Sequence, residues 1–141
     1  MAVSSPPDPN EKTLIVVKPD AVARGFVGEI LGRFERRGMK ILQLRAQTMT
    51  KAKAQEFYSV HKDKPFFGEL VSYFSGGMTV GAVLQGRDAV AMVRRMVGAT
   101  KSWESAPGTI RGDLATGLTD NAIHASDSKE SFDRESKAYF S

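Results

Sequence analysis

The chain contains no cysteine in its 141 residues. Disulfides and thiolate metal sites are therefore excluded, and the composition fits a reducing compartment such as the cytoplasm. Long hydrophobic runs are also missing. The longest fall far short of the ~20 residues that a membrane helix needs. The first residues have neither the basic start nor the apolar stretch of a secretory signal. A cytoplasmic location with no membrane partner is expected. Histidine is scarce, with only His61 and His124. There is no internal repeat, no Gly-rich dinucleotide fingerprint and no metal-ligand cluster. Gly98-Ala99-Thr100-Lys101-Ser102 looks like part of a P-loop. It fails because Thr100 stands where that motif needs Gly before the Lys, and Arg95 stands at the earlier Gly position.

Apolar residues make up 41% of the chain, enough for one domain with a proper core. Residues 1–11 are rich in Ser, Pro and Asp and read as a flexible leader before a single domain at 12–141. The net charge is +4 and the pI is near 9.5. Basic residues are scattered, with Arg36-Arg37 and Arg94-Arg95 the only adjacent pairs. That distribution favours a basic pocket for a polyphosphate over an extended nucleic-acid surface. No specific nucleic-acid partner is expected.

Thr13–Val17 is β-branched and apolar without alternation, the pattern of a central strand buried on both faces. Pro19 stops its ladder and leaves Lys18 at the strand's carboxyl end, a usual place for ligand-binding residues. Val27, Ile30, Leu31 and Phe34 form one helical face, closed by Gly38. Met39–Gln47 alternates as a half-buried strand, with Leu42 out of pattern. Thr50 caps a helix from Lys51 to about His61, and a second helix carries Phe67, Leu70, Val71 and Phe74. Phe66 stands at the corner of this helical hairpin, as core or as a platform for a flat ligand. A strand at Met78–Leu84 follows. Asp88 then caps a helix with Ala89, Met92, Val93, Met96 and Val97 inward and Arg94 and Arg95 outward. Residues 98–118 are irregular, and a segment of that length in a compact domain is usually functional. A short strand at Ala122–His124 and a last helix, capped by Asp127 or Ser128 and running to Tyr139, complete the chain. Without the hairpin the order is βαββαβ. The fold class expected is α+β: a ferredoxin-like four-stranded antiparallel sheet with helices on one face, an added helical hairpin and a long loop.

His124 lies in Asn121-Ala122-Ile123-His124-Ala125-Ser126-Asp127-Ser128. A neutral imidazole is abundant at pH 7 and is a nucleophile that needs no strong base. Attack by one ring nitrogen leaves the other with an N–H, which Glu135 or a backbone carbonyl can accept. Upstream, Pro107-Gly108-Thr109-Ile110-Arg111-Gly112-Asp113 places Gly and Arg together as in an anion-binding turn. The residues read as a phosphoryl-carrying histidine facing a nucleoside triphosphate held by basic groups. His61, without a spaced partner, reads as packed or solvated.

These segments together resemble the nucleoside diphosphate kinase family over about Glu11 to Phe140. The most specific match is Asn121-x-x-His124-x-Ser126-Asp127-Ser128. Lys18-Pro19-Asp20, Arg24-Gly25 with Val27-Gly28-Glu29-Ile30, Lys64-Pro65-Phe66-Phe67 and the segment around Arg111 match in the same order. The resemblance implies ping-pong transfer of a γ-phosphate between nucleoside tri- and diphosphates through His124. It further implies that Lys18 and Asn121 contact ribose and phosphate, that Arg94, Thr100 and Arg111 grip the phosphates, and that Phe66 stacks on the base. Tyr58 would line the pocket, Glu135 would hold the other imidazole nitrogen, and Ser126 would sit beside it. Mg2+ would accompany the nucleotide, held mainly by its phosphates. A homo-oligomer is implied, with a hexamer ahead of a tetramer. Gly76-Gly77 and Lys101-Ser102 depart from the family's Gly-Pro and Asn-Pro, and Trp103 is unusual; these changes touch assembly more than chemistry. The alternative is a regulatory relative that binds nucleotide or nucleic acid, against which the intact Lys18 and His124 argue. A histidine phosphatase or mutase would carry an Arg-His-Gly signature, absent here.

Overall fold

The computed structural model describes residues 8–141. The part of the expected leader at 1–7 lies outside the described residues. Its far end differs from expectation, because Glu11 is the first residue of the first strand. Glu11 also accepts the Val90 amide at 2.8 Å, at the start of a helix.

The strands are β1 (Glu11–Val17), β2 (Lys40–Gln47), β3 (Thr79–Gly86) and β4 (Ile123–Ala125). They form one antiparallel sheet in the order β2-β3-β1-β4. The helices are α1 (Pro19–Ala23), α2 (Val27–Arg36), α3 (Lys51–Phe57), α4 (Phe67–Ser75), α5 (Ala89–Val97), α6 (Ile110–Leu114) and α7 (Lys129–Tyr139).

Caps explain most of the boundaries. Thr50 accepts from the Lys53 amide and Ser128 from the Ser131 amide, each at 3.1 Å. Gly38, at φ +94°, ends α2 where a side chain would be strained. Asp88 differs from expectation: it precedes α5 in a left-handed conformation and its side chain caps nothing. The Glu11 carboxylate takes that role from the end of the neighbouring strand. The helix begun at Lys51 stops at Phe57 and tightens into a 3₁₀ turn at Ser59–His61. Leu42, out of pattern in the sequence, is the extra residue of a bulge between Ile41 and Gln43.

The sheet is covered on both faces, not one. Alternate residues of β1 face opposite ways: Ile15 and Val17 pack with α1, α2, α5 and α6, whereas Leu14 and Val16 pack with α3, α4 and α7. The hairpin and last helix thus build a second core over the face that the ferredoxin-like unit leaves open. The β1 pattern, apolar on both faces, reflects this.

Two elements inside 98–118 were not foreseen. Ser102–Glu104 is a 3₁₀ turn and Ile110–Leu114 is α6. Both are too short for a periodic signal, yet α6 has a legible cap, since Thr109 accepts the Gly112 amide at 3.0 Å. Gly112 is required there, because a Cβ would stand 2.0 Å from the Ala106 carbonyl oxygen.

Candidate active site

The carboxyl end of β1, the start of β4 and the 3₁₀ turn after α3 converge on a cleft of about 490 Å³. β1 and β4 pair with Val16 opposite His124, which sets Lys18 beside the turn that enters β4. The Lys18 amide donates to the Ala122 carbonyl at 2.9 Å. Its Nζ donates to Asn121 Oδ1 at 2.7 Å and to the Thr119 carbonyl at 3.1 Å. Burial, and then the Arg111 charge, lower the Lys18 pKa from 10.5 to about 7, against the opposing pull of Asp20 and Asp120.

His124 Nε2 lies 2.7 Å from Glu135 Oε1, and Ser126 Oγ donates to the same oxygen at 2.7 Å. A carboxylate only accepts, so Nε2 carries the hydrogen and Nδ1 keeps its lone pair. No hydrogen bond from a described residue occupies Nδ1. Burial raises the Glu135 pKa, but the hydrogen bonds from His124 and Ser126 and the Arg134 charge outweigh burial and hold it below the usual range. The ion is therefore secured where the imidazole needs it. Phe57 and Tyr58 present ring edges to His124, with centroids at 5.1 and 5.9 Å. Tyr58 is buried and its phenol pKa is raised by that burial, so it stays neutral.

Two arginines also line the cleft. Arg94 reaches in from the outer face of α5 and donates to the Ala125 carbonyl at 3.3 Å. Arg111 is almost buried and donates to the carbonyls of Asn121, Gly98 and Ile123. Burial and then Arg94 lower its pKa to about 10, which leaves it charged at neutral pH. Asn121 Nδ2 donates to the Thr100 carbonyl at 2.9 Å. Phe66 is 47% exposed at the cleft wall, so it is not core.

All ten residues expected from the sequence therefore meet here. Nine line the cleft, and Ser126 stands behind Glu135. Several neighbours were missed. Leu118, 52% exposed, adds a second apolar wall but sits at the end of the irregular segment, where nothing in the sequence marks it. Phe57 read as core by its helical spacing. Asp127 lies inside the His124 motif, where it read as a helix cap, and Arg134 adjoins Glu135, so both could have been reached from the sequence. His61, read from the sequence as packed or solvated, lines the cleft with its ring 5.7 Å from Phe66. The shortened helix and its 3₁₀ turn bring it there.

A basic cleft around a carboxylate-backed imidazole with a free nitrogen is equipped to accept and release a phosphoryl group. The comparisons agree. The family model for nucleoside diphosphate kinase matches residues 11–141. The nucleoside diphosphate kinase of Hyperthermus butylicus is 49% identical over 133 residues, 94% of either chain. That of Pyrococcus abyssi is 49% identical, over 92% of this chain and 84% of its own. The Aquifex aeolicus enzyme structure superposes with TM-score 0.91 at 48% identity, covering 94% of this chain and 96% of that one. A Halobacterium salinarum enzyme in complex with CDP superposes with TM-score 0.89 at 41% identity, covering 93% and 88%. The chain belongs to the nucleoside diphosphate kinase family, and with it to the phosphotransferases.

Proposed function

We propose that this chain transfers a γ-phosphate from nucleoside triphosphates to nucleoside diphosphates through a phosphohistidine on His124. The observation that carries the reading is the pairing of Nε2 with Glu135 at 2.7 Å, which orients Nδ1 as the nucleophile. The Nδ1 lone pair attacks the γ-phosphorus. The N–P bond forms as the bond to the bridging oxygen breaks, and the nucleoside diphosphate leaves with that electron pair. The ring becomes cationic, and the Glu135 carboxylate, held by Ser126, stabilises it. A second diphosphate then takes the group back by the reverse displacement. Arg94, Arg111 and Lys18 bind the phosphates and stabilise the transferring charge, with Thr100 beside them. Asn121 and Lys18 contact ribose and phosphate. Phe66, which lines the cleft with the apolar Leu118, stacks on the base through its π face, so the base is read loosely.

Mg2+ enters with the nucleotide. Among the described residues no group of three or more His, Asp or Glu could hold a metal ion. Glu135 is committed to His124, Ser126 and Arg134. The phosphates would therefore hold the ion, which supplies charge neutralisation.

The test is incubation with γ-labelled ATP, followed by denaturation. Label that survives base, is lost in acid and maps to His124 supports the reading. Label elsewhere, or none, overturns it.

Two further features belong to this proposal. The protein assembles as a homo-oligomer, a hexamer ahead of a tetramer. In support, β2 is an outer strand with Leu42 and Leu44 at 44% and 55% exposure, and Trp103 is 60% exposed. No described helix is long and apolar enough to cross a membrane. The cytoplasm is the compartment proposed.

A further inference from the structure

The turn that delivers His124 to the cleft is strained. The Ile123 amide donates to the Asn121 carbonyl at 2.9 Å and closes a three-residue turn around Ala122. Ala122 has φ +73°, the conformation of the rare form of the γ-turn. Its Cβ makes that region unfavourable, so the surroundings must hold it. Ala122 is completely buried. Its carbonyl is held by the Lys18 amide, and the carbonyls on either side, of Asn121 and Ile123, are held by Arg111.

The Ala122 amide has a separate partner. It donates to Asp20 Oδ2 at 3.1 Å, from the first turn of α1. The other carboxylate oxygen of Asp20 accepts the Tyr73 hydroxyl. That hydroxyl accepts the Asp20 amide in return, at 3.1 Å. Neither Asp20 nor Tyr73 lines the cleft. Tyr73 belongs to α4, the helix whose N-cap residue is Phe66. One helix therefore carries both the aromatic at the cleft wall and the hydroxyl that secures the Asp20 carboxylate.

Asn121 precedes the strained residue and His124 follows two positions after it. Asn121 is bound to Lys18 Nζ and to Thr100, and His124 to Glu135. If Ala122 relaxes to negative φ, the chain enters β4 in a new direction and both side chains swing off their partners.

We propose that Asp20 and Tyr73 are positioning residues that latch the strained turn at Ala122 and so aim His124, and this rests on His124 being the phosphoryl carrier. The Asp20 carboxylate holds the amide of the strained residue, and Tyr73 holds the carboxylate. The reaction then depends on two side chains that never touch the nucleotide.

The test uses the full chain and four variants: Asp20→Ala, Asp20→Asn, Tyr73→Phe and the Asp20→Ala/Tyr73→Phe double. Single-turnover labelling of His124 by γ-labelled ATP is measured beside ADP affinity and melting temperature. Asp20→Ala should slow labelling by about ten-fold or more, the scale of releasing one strained residue. ADP affinity should fall by less than the labelling rate, since Arg94 on α5 and Phe66 at the start of α4 keep their places while Asn121 shifts. Asp20→Asn keeps an oxygen for the Ala122 amide and should recover most of the rate. The double variant should be no slower than Asp20→Ala, because the two residues act in series. A purely structural role would lower the melting temperature and leave the labelling rate of folded protein unchanged, and that result overturns the proposal. So does an additive double variant. If Asp20→Ala does not fold, Tyr73→Phe, which loses only a hydroxyl, decides: slower labelling supports the latch and a wild-type rate removes it. Absence of His124 label in the wild type would sink the phosphohistidine reading instead, so the two failures are distinguishable.

Discussion

At the scale of single residues, the proposed reaction separates the group that reacts from the groups that bind. His124→Ala removes the nitrogen proposed to take the phosphoryl group. Transfer should drop below a hundredth of the wild-type rate, while ADP affinity survives through Lys18, Arg94, Arg111 and Phe66. General acid–base assistance alone is worth ~10²–10⁴, so more residual activity in a coupled assay would show that the nucleophile lies elsewhere. Lys18 makes a second prediction. Burial and Arg111 lower its pKa from 10.5 to about 7 in the free protein. The unfolded chain keeps this proton up to its ordinary pKa, so between about pH 7 and 10.5 the unfolded state binds more protons. The Lys18 contribution to stability therefore improves as pH rises through that window. Nucleotide binding runs the other way, because phosphates favour the charged amine. Above about pH 7, ADP binding should take up a proton and weaken by up to about ten-fold per pH unit. Calorimetric titration at pH 8.5 in buffers of different ionisation enthalpy would detect the uptake; buffer-independent heats would show that Lys18 stays charged throughout.

At the scale of elements, two arginines expected to do the same job differ in what else they hold. Arg94 projects from α5 and, among the described residues, bonds only the Ala125 carbonyl. Arg111 leaves α6 to tie together the carbonyls of Gly98, Asn121 and Ile123. Each alanine substitution should slow transfer about a hundredfold or more, equally for ATP, GTP and their deoxy forms, because neither arginine meets the base. Only Arg111→Ala should also lower the melting temperature by several degrees, since it strands buried carbonyls. A base-dependent loss in steady-state kinetics would contradict this placement. The last helix offers a milder case. Ser128 caps α7, and α7 carries Glu135. Ser128→Ala should cost about 1 kcal/mol of stability. Thermal unfolding would check it, a few degrees being the expected drop.

At the scale of the whole molecule, the arrangement of layers changes the argument about assembly. A sheet with one bare face would need a partner to cover it, but here both faces are packed. What remains open is an edge. β2 is exposed along most of its length and carries Leu42 and Leu44 outward. Light scattering coupled to size exclusion should report about six times 15.4 kDa for the proposed hexamer, or four times for the tetramer. A stable monomer at micromolar concentration would remove the proposal and leave the β2 leucines unexplained.

The division between chain and fold follows the range of the interactions. Features governed by neighbours a few residues apart were legible: the apolar run of β1, the face of α2, the caps at Thr50 and Ser128, and the Gly38 terminus. So was the fold class, once the elements were in order, and so were most residues of the cleft that belong to a compact motif, Asp127 excepted. Features governed by distant partners were not. The Glu11 carboxylate at the start of α5, and Leu118 and His61 in the cleft wall, depend on strand order and on where short turns end. The second core over the sheet depends on where the hairpin folds back. The strained turn at Ala122 is the clearest instance. An alanine in Asn-Ala-Ile-His carries no local reason for a left-handed backbone. Contacts from Asp20 and Lys18, about a hundred residues away in the chain, together with those from Arg111, impose it. Sequence by itself determined which groups could do the chemistry; the tertiary structure decided how they are aimed, because only packing between remote segments can hold a backbone where its own residues would not go.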